Sequence, residues 1–256
     1  MTGTLLLCAA ALSVFFALLW ARAARARDAS AVDVGWALGL GAMGLAAALA
    51  GDGLAGRRLL VAGMAAVWSL RLASHLYFDR VRGKPEDGRY AALRASWGAN
   101  ANRNFFVFFQ AQGVLCLILS LPFFAAAERT QPLGAADAAA ALLWLAAVAG
   151  ESAADRALAA FRADPANKGK VCRLGLWAYS RHPNYFFEWL VWLSYAAFAP
   201  GDWRVWTSPA LMLYFLFRVT GIPATEAQAL RSRGAAYRRY QDEVSVFIPL
   251  PPRRPS

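Results

Sequence analysis

Ala31-Val32-Asp33-Val34-Gly35-Trp36-Ala37-Leu38-Gly39-Leu40-Gly41-Ala42-Met43-Gly44-Leu45-Ala46-Ala47-Ala48-Leu49-Ala50 can be read in two ways, and the choice between them sets the fold. Its centre, Gly39-Leu40-Gly41-Ala42-Met43-Gly44, matches the GxGxxG pattern of dinucleotide-binding α/β domains. That pattern has meaning only where a strand runs into a helix, because its glycines let a diphosphate approach the helix N-terminus. Here the glycines lie inside an apolar run as long as the roughly 20 residues a helix needs to cross a hydrocarbon core. Gly35 and Gly39 also stand in the GxxxG spacing that lets membrane helices pack closely. The stretch therefore reads as a packed membrane helix, and any nucleotide must bind by another route.

The rest of the chain agrees with that choice. Hydrophobic residues make up 59% of its 256 positions and charged ones 17%, and the mean hydropathy is +0.36, outside the usual range of a soluble domain. Similar apolar stretches occur near 4–20, 58–78, 105–127, 137–159, 183–200 and 205–222. Together they predict an all-α, polytopic membrane protein with seven transmembrane helices forming a single integral membrane domain over residues 1–256.

The cations supply an orientation. Cytoplasmic loops collect Lys and Arg, whereas short translocated loops do not. With the N-terminus outside, the inner segments hold Arg22, Arg25 and Arg27, the group from Arg80 to Arg103, the group from Arg156 to Arg181, and the tail from Arg218 onward. The outer segments hold only Arg57, Arg58, Arg129 and Arg204. This alternation predicts a cytoplasmic C-terminus. The first stretch has its arginines after the apolar run and not before it, so it reads as an anchor with its N-terminus outside, not as a cleaved leader.

Several function classes drop out. The net charge of +11 is spread over loops that flank apolar helices, where it suits anionic headgroups, and no nucleic-acid-binding module is present. Cys8, Cys116 and Cys172 show no CxxC or pairing pattern. The two histidines, His75 and His182, are too few for a histidine-clustered metal centre, and no zinc spacing occurs, so no metal is expected. There is neither a P-loop nor a GxSxG elbow.

The chemistry concentrates between the fifth and sixth stretches. Pro183 suits the first position of a helix, so free N–H groups and the positive end of a helix dipole would stand beside Arg181 and His182, an arrangement that favours an anion. Asn184 and Glu188, four apart, share a helical face, and a carboxylate within a membrane span marks a functional site or a salt bridge. Glu151, Asp155 and Arg162 fall within about 40° of one another on an α-helix. They suit either ribose and phosphate contacts or a self-neutralising interfacial cluster. Asp164-Pro165 ends that helix, and Asn167-Lys168-Gly169-Lys170 leads back toward the same mouth. Tyr185, Glu226, Arg233 and Tyr237 complete the polar set.

Taken in order, five motifs resemble the DUF1295 family, a bacterial branch of the steroid 5α-reductase superfamily. They are EDxRY from Glu86, ExxADxxLxxFRxxPxNKGK from Glu151, GLWxYSRHPNYxxE from Gly175, GIPxxE from Gly221, and a tail carrying Tyr237, Tyr240 and Phe247-Ile248-Pro249. The resemblance runs from about Asp33 to Pro251. It implies an enzyme of the bacterial cytoplasmic membrane that holds NADPH in a cytosol-facing cavity and reduces an activated carbon–carbon double bond of a hydrophobic substrate. The cofactor contacts of the steroid reductases carry over to Asp155, Arg162, Asn184, Glu188 and Tyr237. The expected cofactor-binding set also includes Asn167, Lys170, Arg181, His182, Tyr185, Glu226 and Arg233.

One half of the pattern departs. The steroid enzymes polarise their ketone with a Gln-Glu pair on the second span and a tyrosine on the third, and the pair has no counterpart here. Asp33, His75 and Tyr77 are the remaining candidates for the catalytic role, which implies a lipid substrate other than a steroid. Isoprenylcysteine carboxyl methyltransferases, which use S-adenosylmethionine, share the RHPxY turn and a Glu-then-Tyr tail. The cations of Arg162 and Asn167–Lys170 fit a phosphate-rich dinucleotide better than a phosphate-free sulfonium. A non-catalytic lipid-binding or transport protein would carry inverted repeats with paired broken helices, and neither is visible.

Overall fold

A computed structural model of the chain describes residues 2–219 and 221–253. Among these residues the regular structure is helical and no strand is present. In chain order the α-helices are α1 (Thr2–Ala26), α2 (Ala31–Ala50), α3 (Ala55–Leu76), α4 (Gly88–Trp97), α5 (Ala101–Leu119), α6 (Leu121–Ala127), α7 (Ala135–Ala163), α8 (Pro183–Ala197), α9 (Thr207–Tyr214), α10 (Ile222–Arg233) and α11 (Ala235–Glu243). Among the described residues six helical stretches are long and apolar enough to cross a membrane: Thr2–Ala26, Ala31–Ala50, Ala55–Val81, Gly88–Ala127, Ala135–Ala163 and Trp203–Arg233. Five of them cover the first five stretches expected from sequence, and the last covers 205–222. The stretch expected at 183–200 forms α8, which has 15 residues and is too short to join the six.

The chain forms two units, Met1–Leu133 with Gly201–Thr207, and Gly134–Pro200 with Ser208–Ser256. In the first unit α2 is the packed helix that its glycines foretold. A side chain at Gly41 would meet the Ser69 hydroxyl at 2.4 Å, and one at Gly44 would meet the Ala65 methyl at 2.4 Å. That closeness lets the Ser69 hydroxyl donate across to the Ala37 carbonyl at 2.8 Å. Phe16, Leu40, Trp68, Phe109 and Phe123 fill the core. Leu6, Leu7, Val14 and Leu18 of α1 are exposed, as suits a helix facing lipid.

The expected single span at 105–127 divides into α5 and α6. Pro122 lies within the first turn of α6, where it lacks an N–H for a continuous ladder, and Ser120 holds the joint by donating to the Leu117 carbonyl at 2.8 Å. Arg57, although placed in an outer loop from sequence, is buried. Its guanidinium donates to the carbonyls of Arg129, Gln131 and Pro132 at 3.2, 2.9 and 3.2 Å, satisfying acceptors left open beyond the end of α6.

In the second unit α7 and α8 approach closely at Gly150, where an added Cβ would stand 2.4 Å from the Phe187 ring. Deeper along the pair, Trp144 Nε1 donates to the Tyr195 hydroxyl at 3.1 Å. The stretch expected as one span at 205–222 is interrupted. A π-helical turn at Phe215–Val219 follows α9, and Gly221 packs so tightly on Leu216 that a Cβ there would meet its carbonyl oxygen at 2.7 Å.

Candidate functional site

In the second unit α7 supplies Asp155 and α8 supplies Asn184 and Glu188. Asp155 lies in the stretch of α7 that packs on α8, and Asn184 Nδ2 donates to Asp155 Oδ1 at 3.2 Å. Asp155, Glu188 and Glu151 are all buried. Glu188 sits one turn beyond Asn184, and its Oε1 accepts from the indole of Trp192 at 3.0 Å. An acidic position and an amide thus meet across 29 residues, with a second buried acid one turn further along α8. Carboxylates accept from hydroxyls, and an amide can donate and accept, so the trio suits a ligand rich in hydroxyl and carboxamide groups.

Pro183 opens α8 with His182 at the N-cap, as its sequence position requires. The residues just before it are held by the C-terminal tail. The Arg181 guanidinium donates to Glu226 Oε1 at 2.6 Å and to the carbonyls of Gln241 and Val244 at 2.9 and 2.7 Å. Its own N–H donates to the Ser245 carbonyl at 2.8 Å. Gln241 Nε2 donates to the other Glu226 oxygen at 2.8 Å. The Ser180 hydroxyl donates to the Phe247 carbonyl at 2.7 Å, and the Tyr240 hydroxyl to the Trp177 carbonyl at 2.5 Å. Arg181, expected to face a phosphate, uses Nε and Nη1 to tie the tail to the start of α8.

His182 is 2% exposed, stacks on Tyr185 with centroids 5.4 Å apart, and places Nε2 3.3 Å from Glu226 Oε1. Burial lowers its pKa from 6.5 against the opposing pull of Glu226, so the neutral imidazole is favoured. Burial, reinforced by Glu226, raises the Tyr237 hydroxyl far above its ordinary range, which keeps it a protonated donor. The Tyr185 hydroxyl lies 3.3 Å from the Thr225 hydroxyl.

Toward solvent the character changes. Arg162 is exposed on the last turn of α7. Asn167 turns back, its Nδ2 donating to the Phe161 carbonyl at 3.1 Å. That contact closes the helix end. Arg233 Nε donates to the Lys170 carbonyl at 2.9 Å, joining the loop to α10. Beside this junction lies an open cleft of about 490 Å³ lined by Gly169, Lys170, Val171, Arg173, Ala236, Arg239 and Glu243. Arg173 is paired with Glu243 at 2.5 Å, leaving a positive surplus on the cleft walls.

The first unit holds the other candidates. Asp33 Oδ2 accepts from Arg89 Nη2 at 2.7 Å and Oδ1 from the buried Tyr90 hydroxyl at 2.5 Å. Arg94 pairs with Glu86 at 2.7 Å, and Glu86 also accepts the Ala29 N–H at 2.8 Å. The EDxRY motif therefore fastens the α1–α2 loop and the head of α2 to the start of α4. Asp33 accepts through both oxygens and so clamps Arg89 and Tyr90 to the head of α2. His75 is half-buried on the last turn of α3, and Tyr77 is 42% exposed on the π-helical turn Tyr77–Val81.

Sequence reasoning missed Trp192, Gln241 and Ser180. Trp192 had a readable signal, an indole one helical turn beyond Glu188. Gln241 and Ser180 had none, since their partners are distant in the chain. A family model described as a protein of unknown function (DUF1295) matches residues 19–244. Neither a curated protein nor a solved structure matches the chain.

Proposed function

Because the chain belongs to the DUF1295 family, we propose that it is an integral membrane reductase that uses NADPH to saturate an activated carbon–carbon double bond in a hydrophobic lipid. In this reading the family is a bacterial branch of the steroid 5α-reductase superfamily and the protein resides in the cytoplasmic membrane. Helix α8 makes a seventh crossing, with the N-terminus outside and the C-terminus in the cytoplasm.

One observation carries the proposal: the Asp155–Asn184 hydrogen bond, with buried Glu188 one turn further along α8. These groups offer acceptors and an amide for ribose hydroxyls and a nicotinamide carboxamide. The surplus cations around the Lys170 cleft, together with Arg162 and Arg233, offer a seat for phosphates. Arg181, His182 and Glu226 hold the tail in place and so shape the site from behind. NADPH when bound would supply a hydride to one alkene carbon. The proton for its neighbour needs a donor, for which Asp33, His75 and Tyr77 are the candidates.

Thermal-shift titration of detergent-purified protein with NADPH, NADH and S-adenosylmethionine tests the reading, since a ligand selective for the folded state raises apparent stability. NADPH is expected to stabilise the protein. Glu188→Ala should sharply reduce that shift, and Arg162→Ala should weaken NADPH more than NADH. Stabilisation by S-adenosylmethionine alone would replace the reductase with a methyltransferase.

A further inference from the structure

The Trp192 side chain is fully buried and lies on α8 one turn beyond Glu188. An indole N–H can donate but cannot accept, and a buried donor left without a partner costs about 1–3 kcal/mol. Its acceptor is Glu188 Oε1 at 3.0 Å. The indole is itself packed, with its ring tilted 52° against that of Tyr195 at 6.1 Å. Tyr195, 1% exposed, is in turn held from α7 by Trp144 Nε1 at 3.1 Å. A rigid aromatic bracket therefore ends in one directed hydrogen bond to the carboxylate.

A glutamate side chain has three rotatable bonds and would otherwise sample several rotamers. A bond from a group fixed by packing selects one of them before any ligand arrives, so less ordering remains to be done on binding. We propose that Trp192 is a positioning residue for Glu188, presetting its carboxylate toward the carboxamide or ribose of a nicotinamide cofactor. The inference rests on the reductase reading, because it assigns Glu188 to that ligand. Residues aimed by other residues are as exacting in their geometry as those that touch the ligand.

Trp192→Phe keeps an aromatic side chain, smaller than the indole, and removes the N–H. NADPH affinity is measured by titration calorimetry for wild type, W192F, E188A and the double variant. E188A is expected to lower affinity by tenfold or more, and W192F by about tenfold, the worth of one hydrogen bond to a charged group. In the E188A background, W192F should add no further loss, since the bracket then has nothing to aim. A purely structural tryptophan would lower thermal stability in both backgrounds and leave affinity as in wild type, which overturns the inference alone. Losses that add in the double variant overturn it equally. If wild-type protein does not bind NADPH, the reductase reading falls and the inference falls with it.

Discussion

Gly44→Ala and Gly63→Ala are the same chemical change on neighbouring helices, and the packing of α2 gives them opposite signs. At Gly44 the new Cβ would lie 2.4 Å from the Ala65 Cβ and 3.8 Å from Phe123 Cδ2. Carbon pairs rest about 3.5–4.0 Å apart. A methyl carbon bonded to the backbone cannot rotate away, so α2 and α3 must part by more than an ångström. Overpacking of this kind costs about 1–3 kcal/mol, offset by the roughly 0.5–1 kcal/mol that alanine gains over glycine in a helix interior. The net expectation is a loss of about 1–2 kcal/mol. At Gly63 nothing stands within 4 Å of the added carbon, so only the gain of about 0.5–1 kcal/mol remains. Thermal unfolding in detergent, followed by circular dichroism, reads both. At about 2–4 °C per kcal/mol for a chain of this size, G44A should melt several degrees below wild type and G63A slightly above it. If G44A melted at or above G63A, the glycines of α2 would not be packing contacts, and the choice that set the fold would be wrong.

Two other perturbations probe the junction between the tail and α8. His182 has a lowered pKa in the fold, so the folded state binds its proton less readily than the unfolded chain does. Its contribution is fully present above pH 6.5 and is lost as the pH falls through the lower, folded value, at up to about 1.4 kcal/mol per pH unit. Melting temperature should therefore drop on acidification below pH 6.5 in wild type and drop less in H182Q; equal slopes would refute the assignment. Tyr240→Phe removes the donor to the buried Trp177 carbonyl and should cost about 1–3 kcal/mol, read as a lower melting temperature. An unchanged value would show that the tail is not fastened there.

Helix placement was legible because apolar length and bilayer thickness are both local, one-dimensional quantities. The glycines of α2 and Pro183 at the head of α8 could be read for the same reason. Pro122 offered a signal for the break between α5 and α6, hidden in a run that hydropathy alone treats as continuous. Asp87 offered one for the start of α4, where its carboxylate accepts the Arg89 N–H at 3.0 Å. The pairings inside the candidate sites were another matter. Asp33 meets Arg89 across 56 residues and Arg181 meets Glu226 across 45, and a single sequence carries no record of which opposite charges the fold will bring together. Arg181 was assigned to a ligand from its place beside Pro183, with no sign in the sequence of its bonds to Glu226 and the tail. Asp155 and Asn184 were each singled out by helical spacing and by family resemblance, but neither signal foretold that they would bond to each other.

Were α8 the seventh crossing proposed above, its brevity would bear on the bilayer around it. Fifteen residues rise about 22 Å, short of the roughly 30 Å hydrocarbon core. Such a mismatch draws the lipid thinner around the protein or sinks a helix end below the headgroups. Backbone groups at that depth find no water and must be satisfied by protein. At the head of α8 the tail does this: Ser245 takes the N–H of Arg181, Phe247 the hydroxyl of Ser180, and Leu250 gives its N–H to Tyr179. In such a crossing the segment 245–250 would act as a solid surrogate for solvent, and removing it would leave the peptide groups of Tyr179 and Arg181 without these partners.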